Sequence, residues 1–182
     1  MRELQCGVLV VGGGAAGTRA AYEAKRAHPE LEVCLAVTGR YETGGSTNMV
    51  ASEALGINAS FNCEGDGDDP EIYLEDTLQT GGGLGDPALC WVLAHEAADR
   101  VRELAELGVP FAHRGGHLEQ QKLSGCTRAR SLTCGGSTGR QITRCLKQAA
   151  LAQGVRLLEQ VSILGLCREE NGRVCGAWGR DE

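Results

Sequence analysis

The sequence has no C-x-x-C pair, no run of basic residues and no apolar stretch that approaches the ~18 residues of a membrane-spanning helix. Aromatic side chains make up only 4% of the chain, so its core must be aliphatic and rich in alanine. The net charge is −6, whereas the binding of nucleic-acid phosphates requires a basic face. These absences argue against a membrane span and against a nucleic-acid partner.

The nine cysteines are an odd number and stand singly along the 182 residues. The apolar start at Gly7–Val11 is too short for a secretory signal, so a disulfide framework is not expected. Cys34, Cys90 and Cys145 fall inside apolar periodic segments, where a thiol acts as a small hydrophobic side chain. The predicted location is a reducing cytoplasm.

Glycine, in contrast, is abundant: 27 of the 182 residues are glycine, roughly twice the usual ~7%. No collagen period accompanies them, which indicates loops that approach a ligand closely. The apolar share of 42% is sufficient for the core of one ordinary domain.

The strongest motif is V-L-V-V-G-G-G-A-A-G, near the start of the chain. Val8–Val11 has the pattern of a short buried strand, and Ala15–His28 follows as a predicted helix. Three glycines between them have the spacing G-x-G-x-x-G: Gly12, Gly14 and Gly17. In that motif the first glycine makes the turn, the second admits a pyrophosphate and the third packs the helix on the strand. We therefore predict a dinucleotide fingerprint, with a merely structural strand-turn-helix as the alternative.

Val33–Val37 is predicted as the second parallel strand, which completes a βαβ unit. In a nucleotide-binding unit an acidic residue usually ends this strand and binds the ribose hydroxyls. Here that position holds Val37, followed by Thr38. The departure favours a flavin over a nicotinamide cofactor, although Thr38 with Arg40 leaves NADP as an alternative.

Tyr41–Ala59 mixes small residues, hydroxyls and apolar side chains without clear helical or strand periodicity. A loop that wraps a cofactor needs this mixture. Ser46 and Thr47 offer hydrogen bonds, and Leu55 and Ile57 offer apolar contact for a flat ring system. We predict a cofactor loop here, with a plain connection as the alternative.

Three further helices are predicted from capping residues and periodicity: one from Asp69-Pro70 to Leu78, one over Asp86–Gly108 and one from Ser137-Thr138-Gly139 to Gly154. The apolar stripe of the second is expected to be Leu89, Leu93, Ala97, Val101 and Leu104. The segment 111–134 between the second and third helices is expected to be irregular. A strand over Val155–Ile163 and a hairpin of Leu164–Cys167 with Arg173–Trp178 are predicted to follow.

Metal-ligand residue types cluster twice, as Asp66, Asp68 and Asp69 and as His113, His117, Cys126 and Cys134. The first group lacks the rest of an EF-hand loop, and the second resembles no common zinc finger. No metal site is predicted, and the acidic loop is expected to be solvated. Arg128 and Arg130 alternate along an extended segment, so one can face an anion while the other faces solvent. Two solvated arginines are the alternative.

The order of these motifs resembles the flavoprotein subunit of succinate dehydrogenase and fumarate reductase, together with L-aspartate oxidase. The motif V-V-G-G-G-A-A-G is similar to the FAD pyrophosphate motif of that family. The sequence G-G-S-T-N-M-V-A-S-E-A-L-G-I-N-A is similar to its loop that carries the isoalloxazine. Further resemblances follow in order: E-L-A-E-L-G-V-P-F, S-G-C-T-R-A-R, S-T-G-R-Q-I-T-R-C-L and G-R-V-C-G-A. The resemblance covers nearly the whole chain, but only the first part of such a protein.

The resemblance implies that the chain binds FAD. The implied pyrophosphate contacts are Gly12, Gly13, Gly14, Ala15, Ala16 and Gly17. Contacts with the flavin and ribityl are implied for Gly44, Gly45, Ser46, Thr47, Gly56, Ile57 and Asn58. Val161 is implied to contact the adenine through its backbone. Thr38 is also predicted to contact the cofactor. Membrane-bound members attach FAD through a histidine within S-H-T. This chain has Gly45-Ser46-Thr47 there, so non-covalent FAD is expected.

The expected fold is α/β: a Rossmann-like FAD-binding domain with an incomplete parallel sheet of three strands and a β-hairpin near the C-terminus. Residues 1–182 are expected to be its N-terminal portion only, without a capping domain or a C-terminal FAD segment. The complete protein is implied to exchange hydride between FAD and a dicarboxylate or amino-dicarboxylate. Its substrate-clamping and proton-donating residues lie in the missing parts, so no catalytic residue is predicted. A fragment or split subunit, inactive alone and joined by a second chain, is expected; a non-catalytic FAD-carrying module and an NAD(P)-binding domain are the alternatives.

Overall fold

The computed structural model describes residues 3–182. The chain forms two compact units. Unit 1 contains the chain up to Met49 together with Thr143–Glu182, and unit 2 contains Val50–Ile142. The single domain that the sequence suggested is therefore built from two compact parts.

The helices are α1 (Ala15–Ala27), α2 (Pro70–Thr80), α3 (Pro87–Glu106) and α4 (Thr138–Ala152). The first strands are β1 (Val8–Val11), β2 (Val33–Ala36) and β3 (Ile57–Asn58). Four short strands follow, β4 (His113–Arg114), β5 (His117–Leu118), β6 (Gln120–Gln121) and β7 (Ser131–Leu132). The last strands are β8 (Arg156–Leu158), β9 (Val161–Arg168) and β10 (Val174–Asp181).

Unit 1 is built on a parallel sheet with strand order β1-β2-β8. The three parallel strands that the sequence predicts are confirmed. Val8 pairs with Val33, and Leu35 pairs with Leu157, so every second residue of each strand faces the same side. The core on that side is aliphatic except for Tyr41, as expected from the few aromatic residues, and contains Ala21, Val33, Leu35, Val37, Tyr41, Ala150 and Val155.

The predicted strand over Val155–Ile163 is wrong as a single element. Gln160 has a φ of 59°, a left-handed conformation that a continuous strand does not contain. The chain therefore breaks between β8 and β9, and the Gln160 amide donates to the Gly39 carbonyl at 3.1 Å. The predicted hairpin is confirmed, with both strands longer than expected.

Unit 2 contains α2 and α3, both with a proline in the first turn. The Asp69 side chain accepts from the Ile72 amide at 2.8 Å, and the Asp86 side chain accepts from the Ala88 amide at 2.8 Å. Both aspartates are therefore N-caps, as predicted.

The predicted apolar stripe of α3 is right for only part of the helix. Ala97, Val101 and Leu104 are buried, whereas Leu89 is 69% exposed and Leu93 is 47% exposed. Helical periodicity gives the positions that share a face, but it does not give the length over which a neighbouring element covers that face.

The remainder of unit 2 is a three-stranded sheet with the order β3-β7-β6 and a small hairpin of β4 with β5. The segment expected to be irregular therefore contains four short strands. Within residues 3–182, none of the helices is both long enough and apolar enough to cross a membrane.

Candidate functional site

The β1–α1 turn fixes two of its glycines by backbone geometry. Gly12 has a φ of +107°, and its amide donates to the Ala36 carbonyl at 2.9 Å. A Cβ at Gly17 would lie 2.0 Å from the Gly12 carbonyl oxygen. Gly12 is thus required by the turn, and Gly17 by the close approach of the helix to that turn, as the sequence motif predicts.

The middle glycines have different surroundings. A Cβ at Gly13 would lie 2.5 Å from Val37 Cγ1, so packing excludes a side chain there. A Cβ at Gly14 would make only an ordinary contact, 3.4 Å from the Thr47 hydroxyl oxygen. Because the protein itself leaves room at Gly14, the glycine at this position fits the need of a ligand that approaches the backbone.

The N-terminus of α1 has the character of an anion site. The first hydrogen bond within the helix runs from the Thr18 amide to the Gly14 carbonyl at 3.0 Å, so the preceding amides lie ahead of the helical ladder. The Ala15 amide donates to the Thr47 hydroxyl oxygen at 3.1 Å, and Ala16 is exposed. The first turn contains no acidic side chain. The partial positive charge of the helix end therefore remains available to a phosphate.

The loop after β2 lies against this turn within unit 1. Gly45 has a φ of +85°, and a Cβ there would lie 3.9 Å from the Gly14 Cα. Gly44, Gly45 and Ser46 are exposed. The loop contains two 3₁₀ turns, Tyr41–Thr43 and Ser46–Met49, where the sequence shows no helical periodicity. Such one-turn elements are too short to leave a periodic signal.

A buried neutral network holds this loop in place. The Tyr41 and Thr18 hydroxyls are 2.6 Å apart, and Asn48 Nδ2 donates to the Tyr41 carbonyl at 3.2 Å and the Gly44 carbonyl at 2.6 Å. The Thr143 hydroxyl donates to Asn48 Oδ1 at 2.5 Å. Burial raises the pKa of Tyr41 above its ordinary value of 10.0, against the opposing hydrogen bond with Thr18. Sequence reasoning missed this network, because its members are far apart in the chain.

The two other predicted contacts of unit 1 lie at the carboxyl side of the sheet. Thr38 follows β2 and is exposed. Val161 opens β9, and its amide donates to the Val37 carbonyl at 3.0 Å. Contacts of Thr38 and Val161 with a cofactor stay predictions.

The predicted flavin contacts Gly56, Ile57 and Asn58 belong to unit 2. A Cβ at Gly56 would lie 1.9 Å from the Leu132 carbonyl oxygen, so the packing of the chain itself already requires this glycine. Ile57 pairs with Leu132 in the β3–β7 ladder. Asn58 Oδ1 is buried and has no hydrogen-bond partner among the described residues. An unpaired buried acceptor is costly, which makes Asn58 fit a bound group that donates a hydrogen bond.

A groove of 360 Å³ lies beside these residues inside unit 2. Its lining is mainly apolar and consists of Ile57, Asn58, Leu89, Val92, Leu93, Glu96, Ala97 and Arg100. The groove includes the exposed half of the α3 stripe. Ile57 and Asn58 thus share a surface with α3.

Unit 2 also has a buried charged cluster, which the sequence indicated only as two alternating arginines. The Arg130 side chain is fully buried and forms ion pairs with Asp68 and Asp76, each at 2.6 Å. Burial raises the pKa of Asp68 against the opposing Arg130 bonds. Burial acts to raise the pKa of Asp76 as well. Hydrogen bonds from Thr127 and Arg130 outweigh burial, so the pKa of Asp76 lies below its ordinary value.

The cluster corrects the prediction of a solvated acidic loop. Asp68 binds Arg130, and the Asp66 carboxylate accepts from the Ala129 amide at 2.9 Å. Asp69 caps α2. Half-buried Arg128 and buried Arg130 do face different surroundings, but Arg130 faces carboxylates of the protein. Among residues 3–182 no group of three or more His, Cys, Asp or Glu side chains is arranged to hold a metal ion.

A parallel sheet, a glycine turn that opens a helix and a second glycine loop beside it define a dinucleotide-binding α/β protein. The family described as FAD binding domain matches residues 7–182. The chain belongs to this family of FAD-binding domains, and FAD is its cofactor.

Two curated proteins are similar to nearly the whole chain. One belongs to the fumarate reductase (CoM/CoB) of Methanothermobacter marburgensis and is 35% identical over 176 residues, which are 96% of this chain and 31% of that protein. The other is L-aspartate oxidase of Streptomyces coelicolor, which is 36% identical over 171 residues, 93% of this chain and 28% of that protein.

Solved structures agree with these relatives. Mycobacterium smegmatis Sdh1 superposes with a TM-score of 0.90 at 26% identity, covering 98% of this chain and 31% of that one. A flavocytochrome c3 fumarate reductase superposes with a TM-score of 0.82 at 28% identity, covering 96% and 30%. The resemblance predicted from the motifs is confirmed. The chain spans about 30% of the length of the relatives that it matches.

Proposed function

We propose that this chain holds FAD non-covalently and is the FAD-binding part of a flavoprotein that oxidises or reduces a dicarboxylate or amino-dicarboxylate. The observation that carries the proposal is the α1 N-terminus, where Gly14 has room for a ligand, the first turn lacks an acid and Gly45 lies alongside. A helix end whose first amides lie ahead of the helical hydrogen bonds suits the diphosphate of FAD. The similarity to fumarate reductase and L-aspartate oxidase supports the substrate class.

Non-covalent attachment is supported by the composition of the second loop. Its sequence is Gly45-Ser46-Thr47, where the membrane-bound relatives are expected to have a histidine. The Thr47 hydroxyl accepts from the Ala15 amide, which gives this side chain a role in the α1 N-terminus. The predicted attachment is therefore by hydrogen bonds and apolar contact alone.

FAD itself supplies the redox chemistry when bound, and the protein supplies orientation and exclusion of water. We assign no catalytic residue to this chain. We propose that a capping domain and a further FAD segment, in a longer chain or in a second chain, complete the site. Little or no turnover is expected from residues 1–182 alone. We further place the protein in a reducing cytoplasm, since its nine cysteines stand singly in the sequence without the spacing of a disulfide framework.

The test uses one exposed position at the α1 N-terminus. Ala16→Glu adds a carboxylate to the first turn, which favours the helix dipole but repels a diphosphate. We expect wild-type protein to retain yellow flavin and to melt at a higher temperature with FAD. Ala16→Glu should bind FAD at least about tenfold more weakly, because like charges a few ångströms apart repel strongly at a protein surface.

Ala16→Gln is the matched control, since it has the same size without the charge, and it should bind FAD close to wild-type affinity. Wild-type protein that shows neither retained colour nor a melting shift with excess FAD would refute the proposal. Binding of NADP instead would favour the alternative cofactor, and binding of FAD without turnover after addition of the missing part of a relative would favour a non-catalytic module.

A further inference from the structure

All three guanidinium nitrogens of buried Arg130 donate hydrogen bonds to carboxylates of the protein. Its Nε donates to Asp68 at 3.0 and 3.1 Å, its Nη2 donates to Asp68 at 2.6 Å and its Nη1 donates to Asp76 at 2.6 Å. The guanidinium also lies 4.7 Å from the centre of the Tyr73 ring. Asp76 in turn accepts from the amide and hydroxyl of Thr127, both at 2.9 Å. The planar fork thereby fixes the direction of the chain at residue 130.

The backbone that leaves Arg130 supports the predicted flavin segment. The Arg130 carbonyl accepts from the Ala59 amide at 3.1 Å. The next residue, Ser131, pairs with Asn58, and its hydroxyl donates to the Ala54 carbonyl at 2.9 Å. The Leu132 carbonyl lies so close to Gly56 that no side chain fits between them. The position of residues 54–59 is therefore set by the position of strand β7.

This ladder is short, with only two paired positions between β3 and β7. A two-residue strand pair has little stability of its own, so its position depends on what anchors it. Gln120 is a second anchor, since its Nε2 donates to the Ala59 carbonyl at 2.7 Å. Arg130 is a charged anchor, since its ion pair with Asp76 connects β7 to helix α2.

We propose that Arg130 is a positioning residue for FAD: it fixes β7, and β7 fixes Gly56–Asn58 in the arrangement that meets the flavin. The inference rests on the proposed function and on the predicted flavin contact of this segment. The unpaired buried Oδ1 of Asn58 supports it independently, because it leaves on that segment an acceptor that no described residue uses.

The test compares Arg130→Lys with Arg128→Met. Lysine keeps the charge but loses the fork, so it is expected to hold β7 less strictly while Asp68 and Asp76 stay paired. Arg128 is the control, an arginine two positions away that is only half-buried. Three quantities are measured: the Kd for FAD, the visible absorption spectrum of the bound flavin, and hydrogen exchange of the Ala59 amide without FAD.

For Arg130→Lys we expect the Kd for FAD to rise about tenfold. This is the change expected when only about a tenth of the molecules have Gly56–Asn58 in the arrangement that binds the flavin. The flavin bands should shift, and the Ala59 amide should exchange faster, while the Thr18 amide in α1 keeps its protection. Arg128→Met should change none of these.

A folded Arg130→Lys protein with wild-type FAD affinity and an unchanged flavin spectrum would overturn the inference. So would a weaker affinity with unchanged exchange at Ala59. If Arg130→Lys does not fold, Asp76→Asn is judged by the same criteria, since it keeps an oxygen for Arg130. If the wild-type protein shows no retained colour and no melting shift with FAD, the proposed function fails first, and this inference fails with it.

Discussion

Each unit holds a loop with buried polar groups, but the two networks differ in charge. In unit 1, Tyr41, Thr18 and Asn48 form a neutral network around the loop after β2. In unit 2, Arg130 is enclosed by the carboxylates of Asp68 and Asp76. Hydroxyl and amide groups both donate and accept, so a neutral network satisfies itself at modest desolvation cost, whereas a guanidinium only donates and requires acceptors.

The difference predicts how each unit fails. Loss of one neutral group leaves its former partners unpaired but leaves no buried charge. Loss of the guanidinium leaves two buried carboxylates without a counter-charge. The unit 2 network should therefore tolerate substitution far less than the unit 1 network.

The largest effect is expected for Arg130→Met. Removing one partner of a buried ion pair costs about 3–5 kcal/mol of the free energy of unfolding, because the remaining charge stays desolvated. Urea unfolding followed by circular dichroism measures the loss, with Arg128→Met as the control. A loss no larger than that of the control would mean that the unit 2 network contributes little.

Tyr41→Phe should cost less, about 1–3 kcal/mol, the penalty of leaving buried partners unpaired. The Tyr41 hydroxyl contacts the Thr18 hydroxyl and donates to the Thr143 carbonyl at 3.2 Å. Tyr22→Phe, on the half-buried side of α1, is the matched control. Equal losses for Tyr41→Phe and Arg130→Met would contradict the distinction between the networks.

The sequence was sufficient for the strand, turn and helix around Gly12 and Gly17 because their interactions are local. The networks were beyond its reach because their partners are distant: Asn48 and Thr143 are 95 positions apart, and Arg130 and Asp68 are 62 apart. The break at Gln160 was missed for a different reason. Apolar residues stand on both sides of the polar pair Glu159-Gln160, and two polar residues are too few to mark the end of one strand and the start of another.

The predicted cofactor contacts divide in the same way. Gly12 and Gly17 are glycines for the reasons that the motif gives. Gly56 has a packing reason that the sequence does not reveal, since its neighbour Leu132 lies far along the chain. A glycine in a predicted cofactor loop therefore does not by itself identify a ligand contact.

A smaller effect is expected where the unit 1 loop meets α1. Thr47→Val removes the oxygen that accepts from the Ala15 amide, so the helix end loses a cap worth about 1 kcal/mol. Thr43→Val is the control, since the exposed Thr43 hydroxyl donates only within its own turn, to the Arg40 carbonyl at 3.0 Å. The free energy of unfolding at neutral pH is the measurement, and an equal loss in both variants would show that Thr47 is no cap.

The smallest effects are the slopes of stability with pH, and the slopes from Asp76 and Tyr41 should lie in opposite pH windows. The pKa of Asp76 is lowered in the folded protein, so its carboxylate stabilises above the ordinary value of 3.8, and this contribution is lost as the pH falls through the folded pKa. The pKa of Tyr41 is raised, so its contribution is complete below 10.0 and is lost as the pH rises through the folded pKa.

Asp76→Asn should therefore flatten the acid side of the unfolding profile and leave the alkaline side unchanged. Tyr41→Phe should flatten the alkaline side and leave the acid side unchanged. The measurement is the free energy of unfolding of both variants from acid to alkaline pH. It distinguishes the networks by the pH range in which stability changes rather than by the magnitude of the loss. Because each variant is the control for the other, a change on the same side in both would mean that the two networks do not titrate independently.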